Sequence, residues 1–215
     1  MCNLYSVQAS ADDVARHFGV ATPVSLEVPP ETIRGSAGAV VRETRGRRVL
    51  QSLGWGFPRL TREMRDRGEP PTRVNLTADL TNPMWSELAR DPRYRCLIPL
   101  TRFGEPDGPK GRMTRTWFRV ADEPMFAWAG FARNTEAFGP VFSGMTTDSN
   151  AAVAPLNPRM PVLLRPNDYE RWLHGTIQDV IAFQFRELPA GRLVADATDE
   201  LWRGGATRPT EPALL

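Results

Sequence analysis

Short apolar runs, separated at close intervals by proline and glycine, constrain the fold of this chain most strongly. The 215 residues include 20 prolines and 17 glycines, and these two residue types mark turns more often than they continue a helix or a central strand. The runs YRCLIPL, TWFRV, MFAWAGFA and VFSGMTT have the length and composition of strands, and polar turns such as EPDGPKG lie between them. The pattern predicts a mixed or antiparallel sheet of many short strands, which can close into a barrel.

A few segments carry helix signals instead, which places the chain in the α+β class. Helices are predicted over residues 10–19, 82–91, 166–175 and 176–188. A hairpin is predicted around the turn TRG, a loop over residues 21–36, an exposed loop with room for one helical turn in RLTREMRDRGEPPTR, and a last short strand in RLVAD. We expect one domain over residues 1–202 and a flexible tail over residues 203–215, which lack periodicity.

Composition and charge exclude several classes of protein. The formal net charge of +2 does not by itself indicate nucleic-acid binding, although Lys110 is the only lysine and the remaining basic residues are arginines, which suit phosphate contacts. No run reaches the ~18–20 apolar residues of a membrane span, and the N-terminus does not resemble a signal peptide. Two cysteines and two distant histidines predict no disulfide framework, metal site or cofactor. A cytoplasmic monomer with free thiols is expected.

Cysteine stands at position 2, directly after Met1. If Met1 is removed, the chain begins with an amine and a thiol on adjacent carbons. An α-amine has a reference pKa of about 7.7–8.0, so part of it is neutral at pH 7 and can attack an aldehyde. The thiolate can then close a thiazolidine ring. The same group could attack an amide, or Cys2 could be an ordinary strand residue. Cys96, in an apolar run, is predicted to be a core residue.

Two polar residues could assist Cys2. Asn75 interrupts the strand-like RVNLTAD, where asparagine is disfavoured; it is either a turn residue or an amide that holds the amine or a sugar hydroxyl. Glu105, at the end of a predicted strand, is either exposed or, if buried near a cleft, a general acid/base. Trp55, in GWGFPR, could stack on a base or belong to the core.

Five motifs in order resemble the SOS response-associated peptidase (SRAP) family over about residues 1–175. They are Met1-Cys2, Trp55-Gly56, Asn75, the run Arg95–Pro99 followed by Phe103 and Glu105, and Arg159–Val162 followed by Leu164. No single motif is decisive, but their order and spacing are specific.

The resemblance implies an α+β fold with a distorted β-barrel core, peripheral helices and a basic channel for DNA. It implies that Cys2 captures the aldehyde of an abasic site in single-stranded DNA as a thiazolidine crosslink, and that an autoproteolytic peptidase activity can unmask the cysteine. Asn75 would position the cysteine or the sugar, and Glu105 would act as acid/base. Such a protein would be cytoplasmic and associate with the nucleoid when bound to DNA.

The chain departs from the family pattern at three positions. Asn157 stands where the family usually has a histidine, thought to help open the sugar ring and reverse the crosslink, and asparagine does not titrate near neutral pH. Leu4 and Thr77 stand where many members have arginines that contact phosphate. DNA contacts are then expected from Trp55, Thr77 and nearby arginines, in particular Arg73, Arg102 and Arg159 and those of residues 59–67.

Two alternatives stay open on this sequence. The chain could be an N-terminal-nucleophile peptidase or amidase, which would turn over repeatedly. It could also be a single-stranded DNA-binding module that forms no crosslink, because Asn157, Leu4 and Thr77 all depart from the family pattern.

Overall fold

The computed structural model of the protein describes residues 3–21 and 26–202, so Cys2 and the predicted tail lie outside the described residues. Strands dominate this part of the chain. They are β1 (Leu4–Ser6), β2 (Glu31–Ile33), β3 (Ala37–Thr44), β4 (Arg47–Trp55), β5 (Phe57–Arg59), β6 (Thr72–Val74), β7 (Leu76–Thr77), β8 (Arg95–Leu100), β9 (Arg102–Asp107), β10 (Thr114–Val120), β11 (Phe126–Thr135), β12 (Gly139–Asp148), β13 (Arg159–Pro161), β14 (Leu163–Leu164) and β15 (Leu193–Leu201). The helices are α1 (Ala11–Phe18), α2 (Arg62–Asp66), α3 (Pro83–Arg90), α4 (Tyr169–His174) and α5 (Ile177–Gln184).

Five strands close into a ring, which confirms the predicted barrel-like core. Their order is β12-β4-β3-β8-β11, and β11 pairs again with β12. The β12–β4 pairing is parallel, whereas the other four are antiparallel. The predicted hairpin forms β3 and β4, with Arg45 and Gly46 at φ 53° and 70° in its turn. Positive φ at both central turn residues matches the twist of the paired strands.

A second sheet carries the start of the chain. Its strands lie in the order β15-β10-β9-β1-β2, and all neighbours are antiparallel. β1 lies between β9 and β2 in this sheet, so the first strand of the chain is paired on both sides. A mixed α+β architecture with two main sheets and few helices is therefore confirmed.

Large aromatic side chains fill the barrel. Trp55 lies 5.4 Å from Tyr5, 5.6 Å from Trp128 and 6.0 Å from Phe142, measured between ring centroids. All four side chains are buried. Because Tyr5 belongs to β1, this cluster joins the second sheet to the barrel, and burial of such rings contributes much of the stability of a core.

The predicted helices form with the expected caps and pack outside the sheets. The Ser10 hydroxyl accepts the Asp13 N–H at the start of α1, and Gly19 ends the helix in the left-handed conformation. Asn82 caps α3. The helix α4 contacts β8, and α5 contacts β12 and α3. Among the described residues, no helix has the length and apolarity needed to cross a bilayer.

Three polar segments contain more regular structure than predicted, because they pair with strands that are distant in the sequence. Residues Glu31–Ile33, within the predicted loop, form β2 on the edge of β1. The predicted exposed loop before Asn75 contains the expected helical turn as α2, but also the strand β6, which was not predicted. The last strand, predicted to end at Asp196, continues to Leu201 across a bulge, where the Thr198 hydroxyl donates to the Arg115 carbonyl at 2.8 Å.

Replacing Arg95 with methionine should destabilise the protein by about 3 kcal/mol or more. Arg95 is buried, and its guanidinium donates to the carbonyls of Ala89 (3.1 Å), Trp172 (3.1 Å) and Gly175 (2.6 Å) at the ends of α3 and α4. Methionine would leave these carbonyls without that donor. Urea unfolding measures the loss.

The neighbouring Arg93 supplies the matched control. Its side chain is 83% exposed and pairs only locally with Asp91, so Arg93→Met should cost less than about 1 kcal/mol. Equal unfolding midpoints for the two variants would contradict the role given to Arg95.

Candidate active site

The pairing of β1 with β9 brings the start of the chain beside Glu105. Leu4 lies opposite Gly104, and Glu105 is the next residue of β9. Asn3, the first described residue, accepts a hydrogen bond at its carbonyl from the Arg34 N–H at 3.0 Å. Cys2 itself lies outside the described residues. The strand that follows Cys2 in the chain is therefore the neighbour of the strand that carries Glu105.

Glu105 is fully buried, although it was identified in a turn-like stretch where glutamate is usually exposed. Its register partner in β10 is Thr116, and it shares a strand face with Phe103, so the carboxylate turns toward the protein interior. The Asn157 Nδ2 donates to Glu105 Oε2 at 2.8 Å. Burial is one of the conditions under which Glu105 is predicted to act as a general acid/base, and that role stays a prediction.

Asn157 has both ends of its amide engaged. While Nδ2 donates to Glu105, Oδ1 accepts the Arg159 N–H at 3.1 Å, and the Asn157 N–H donates to the Val153 carbonyl at 3.1 Å. The side chain is buried. Asn157 can hold the carboxylate in place, but an amide cannot exchange a proton with it near neutral pH.

The segment after Asn157 lies between β11 and β12, at the end where these two strands of the barrel no longer pair with each other. β13 pairs with β12 and β14 pairs with β11. Between them, the Val162 N–H donates to the Met145 carbonyl and the Val162 carbonyl accepts from the Ala129 N–H, both at 2.9 Å. The run Arg159–Val162 thus anchors Asn157 by backbone pairing on both sides.

Asn75, between β6 and β7, is buried against Trp55 and lies beside β12, whose Gly144 N–H donates to its carbonyl at 3.3 Å. Its Nδ2 donates to the Trp55 carbonyl at 2.7 Å, and its own carbonyl accepts the Trp55 Nε1–H at 2.8 Å. The Ser143 hydroxyl, for which the sequence carries no functional signal, donates to the same carbonyl at 3.0 Å. Within the described residues, no hydrogen bond joins Asn75 to Glu105 or Asn157. The structure therefore pairs two of the predicted site residues and places Asn75 in a separate network.

The predicted DNA contacts of Trp55 and Thr77 need correction. Both side chains are 0% exposed. The Trp55 ring is covered by other aromatic rings of the barrel, and the Thr77 hydroxyl lies 3.0 Å from the Ser143 hydroxyl. Leu4 is buried as well. A base or phosphate cannot reach these buried side chains in this structure.

Arg73 and Arg159, two of the other predicted DNA contacts, are accessible in part. Arg73 is exposed, and its guanidinium lies 3.9 Å from the centre of the Phe138 ring. Arg159 forms an ion pair with Asp148 and donates to the Thr146 carbonyl at 2.7 Å. Both guanidiniums are thus oriented by protein contacts.

Neither histidine occupies the place of the one expected near Asn157. His17 Nε2 lies 3.0 Å from the Tyr169 hydroxyl, and His174 Nε2 lies 3.0 Å from a Glu43 carboxylate oxygen. Cys96 is buried as predicted, and burial raises the pKa of its thiol far above the usual range. Cys96 is therefore a core residue and not a nucleophile.

Comparison with solved structures agrees with the fold described above. The fold resembles solved structures of a protein from Bacteroides thetaiotaomicron (21% identity, TM-score 0.75, 91% of each chain covered) and of one from Bordetella bronchiseptica (22% identity, TM-score 0.74, 92% of this chain and 99% of the other). A phage-related protein from Bordetella bronchiseptica is also similar (16% identity, TM-score 0.67, 92% and 94% covered). No curated protein sequence matches.

A family comparison covers nearly the whole chain. The model of the SOS response associated peptidase (SRAP) family matches residues 1–195. This range includes the pairing of β1 with β9, the Glu105–Asn157 contact and the Asn75 network. The chain therefore belongs to the SOS response-associated peptidase family.

Proposed function

We propose that this protein captures the aldehyde of an abasic site in single-stranded DNA through Cys2, once Met1 has been removed. The observation that carries the proposal is the buried carboxylate of Glu105 on the strand next to β1. Cys2 precedes Leu4 by two residues in the chain, and the β9 partner of Leu4 is the neighbour of Glu105. An amine, a thiol and a buried carboxyl group are the groups that this chemistry requires.

The proposed reaction balances without an oxidant or a metal. The neutral α-amine of Cys2 attacks the aldehyde carbon of the ring-opened sugar, and the carbinolamine loses water to give an imine. The thiolate then attacks the imine carbon while the nitrogen gains a proton, which closes the thiazolidine. One water molecule is released in total. Glu105 supplies a proton to the departing hydroxyl and can accept one from the attacking amine.

We infer that exposed arginines supply the charge for binding a DNA strand. Besides Arg73, the segment before Asn75 has four exposed arginine side chains: Arg59, Arg62, Arg65 and Arg67. Nearby carboxylates offset part of this charge, since Arg67 pairs with Glu69 at 2.8 Å. We infer phosphate contacts here and at Arg73 and Arg159, and binding that weakens as salt concentration rises.

The proposal is tested by mixing the protein, with its mature N-terminus verified by mass, with three single-stranded oligonucleotides. One carries an abasic site, one carries the tetrahydrofuran analogue that has no aldehyde, and one is undamaged. Only the first should give a band that survives denaturing electrophoresis. The intact mass of this adduct should equal the sum of protein and DNA less one water. No adduct with the abasic strand would overturn the proposal.

Asn157 favours a second candidate, a DNA-binding module that forms no crosslink, because the titratable family residue is replaced. That protein would bind all three oligonucleotides in a salt-sensitive manner without an adduct. A peptidase acting on other chains would instead release product repeatedly. Counting product molecules per protein molecule separates this activity from a single self-consuming capture.

Restoring histidine at position 157 should accelerate both formation and reversal of the crosslink, by about 10²-fold, because one acid/base group typically contributes 10²–10⁴-fold. An imidazole can donate to Glu105 as Asn157 does and can also transfer a proton. Formation is followed by gel time courses, and reversal by release of DNA in the presence of excess unlabelled abasic competitor. Asn157→Gln, a longer amide, should give no gain. Two unchanged rates in Asn157→His would contradict the role assigned to this position.

A further inference from the structure

Trp55 and Asn75 hold each other by reciprocal hydrogen bonds. The Asn75 Nδ2 donates to the Trp55 carbonyl at 2.7 Å, and the Trp55 Nε1–H donates to the Asn75 carbonyl at 2.8 Å. The indole has little freedom to turn, because it packs against Tyr5 at 5.4 Å and stacks on Phe142 at 6.0 Å. The core therefore fixes the position of Asn75 through the tryptophan.

This arrangement sets which end of the Asn75 amide is available. If the amide were turned around, Oδ1 would face the Trp55 carbonyl oxygen at the same 2.7 Å, and two acceptors at that distance repel each other. Nδ2 is thus the atom that faces Trp55. Oδ1 points away from it and accepts no hydrogen bond from the described residues. The end of the Asn75 amide that engages no described residue is therefore the acceptor Oδ1, while the second N–H of Nδ2 also remains unused.

Gly56 makes room for the amide. Its φ of 128° lies in the region that side-chain-bearing residues rarely adopt. A Cβ at this position would lie 2.8 Å from Asn75 Nδ2 and 3.0 Å from the Arg73 Cβ. Any residue other than glycine would displace the amide from the Trp55 carbonyl. Both members of the Trp55-Gly56 motif therefore act on Asn75.

The Asn75 carbonyl keeps other donors if the indole N–H is removed. The Ser143 hydroxyl and the Gly144 N–H donate to it at 3.0 and 3.3 Å. Trp55→Phe should consequently fold, since no buried carbonyl is left without a donor. It should loosen the position of Asn75 without abolishing it.

We infer that Trp55 and Gly56 are positioning residues for Asn75, and that they present Asn75 Oδ1 as an acceptor for an O–H donor of the bound substrate. On the proposed function, this donor is a hydroxyl of the opened sugar. The expected effect on the capture rate rests on the proposed function. The positioning of Asn75 by Trp55 and Gly56 does not depend on that function.

The kinetic test is a double-mutant cycle measured under single-turnover conditions. Trp55→Phe should lower the maximal capture rate roughly fivefold, the factor that corresponds to one ordinary hydrogen bond, and leave the half-saturating DNA concentration unchanged. In the Asn75→Ala background it should produce no further loss, because the side-chain amide on which it acts is absent. Equal losses in both backgrounds would indicate a general structural effect and overturn the inference.

Trp172→Phe is the matched control. Its indole is also buried and donates to a strand carbonyl, that of Cys96, at 2.9 Å. This variant loses the same type of hydrogen bond in another part of the core. It should lower the melting temperature by a similar amount and leave the capture rate within twofold of wild type.

Exchange of the Asn75 side-chain NH₂ protons, measured by NMR, provides a readout that needs no crosslink. These protons should be protected in the wild-type protein and exchange faster in Trp55→Phe and in Gly56→Ala. If the wild-type protein forms no adduct, the proposed function fails, and the exchange rates alone decide this inference. Equal exchange in wild type and Trp55→Phe would overturn it.

Discussion

Crosslinking to abasic DNA is expected to disappear when Cys2 is replaced with alanine. The variant keeps a terminal α-amine and can still form an imine, but it has no thiolate to close the five-membered ring. An imine hydrolyses readily, so no band should survive denaturing electrophoresis. Addition of borohydride, which reduces the imine to a stable amine, should restore a covalent band. This pair of results separates the contribution of the thiol from that of the amine.

Two controls make the result specific to Cys2. Cys96→Ala removes the other thiol, which is buried and has a raised pKa, and it should crosslink at the wild-type rate. A tag left in front of Cys2 should block capture even though both cysteines remain, because the free amine is lost. A stable band from Cys2→Ala without borohydride would show that another nucleophile performs the capture.

Replacing Glu105 with glutamine should slow adduct formation by about 10²–10⁴-fold. Glutamine has the same shape, and its carbonyl oxygen can still accept from the Asn157 Nδ2, which bonds the carboxylate at 2.8 Å. What is lost is proton transfer to the leaving hydroxyl during dehydration of the carbinolamine. The rate is measured as band intensity over time at saturating abasic DNA.

Asp107→Asn is the matched control for this prediction. Asp107 stands two residues along the same strand, so it lies on the same strand face, and it accepts from the Thr116 hydroxyl at 3.0 Å. Its neutralisation should change the rate less than twofold. Similar losses in the two variants would indicate that the net charge of β9, and not proton transfer by Glu105, governs capture.

The contact between Asn157 and Glu105 bears on the prediction that Asn157 stands in place of a family histidine. The amide preserves the hydrogen bond that holds the carboxylate in the interior. It does not preserve a second proton-transfer group beside it. On the proposed chemistry, the protein keeps the parts needed for capture and lacks one that would speed reversal, so its adduct should persist.

Local signals in the sequence were sufficient for much of the fold. The strand runs, the TRG hairpin and the caps at Ser10 and Asn82 depend on neighbouring residues, and the structure confirms them. The extent of β15 was not predictable in this way. Its polar residues have no periodic apolar pattern, and only pairing with β10 orders them.

The candidate site, like the fold, could be predicted only in part. Candidate residues Asn75, Glu105 and Asn157 were identified from their residue types and from motif order, but their environments were not. Trp55 shows the difference most clearly: its sequence context fits a base-stacking surface equally well, and the structure encloses it between aromatic rings of three strands.

By itself, the sequence determined the α+β class, the cysteine next to Met1, and the set of polar residues from which a site could be built. The tertiary structure decided which of them meet. Glu105 and Asn157 are 52 residues apart in the chain and touch because β9 and the segment before β13 converge. Asn75 faces Trp55, 20 residues earlier, for a similar reason. Such contacts depend on long-range strand pairing, whose register is set by burial across the whole sheet and not by any local run of residues.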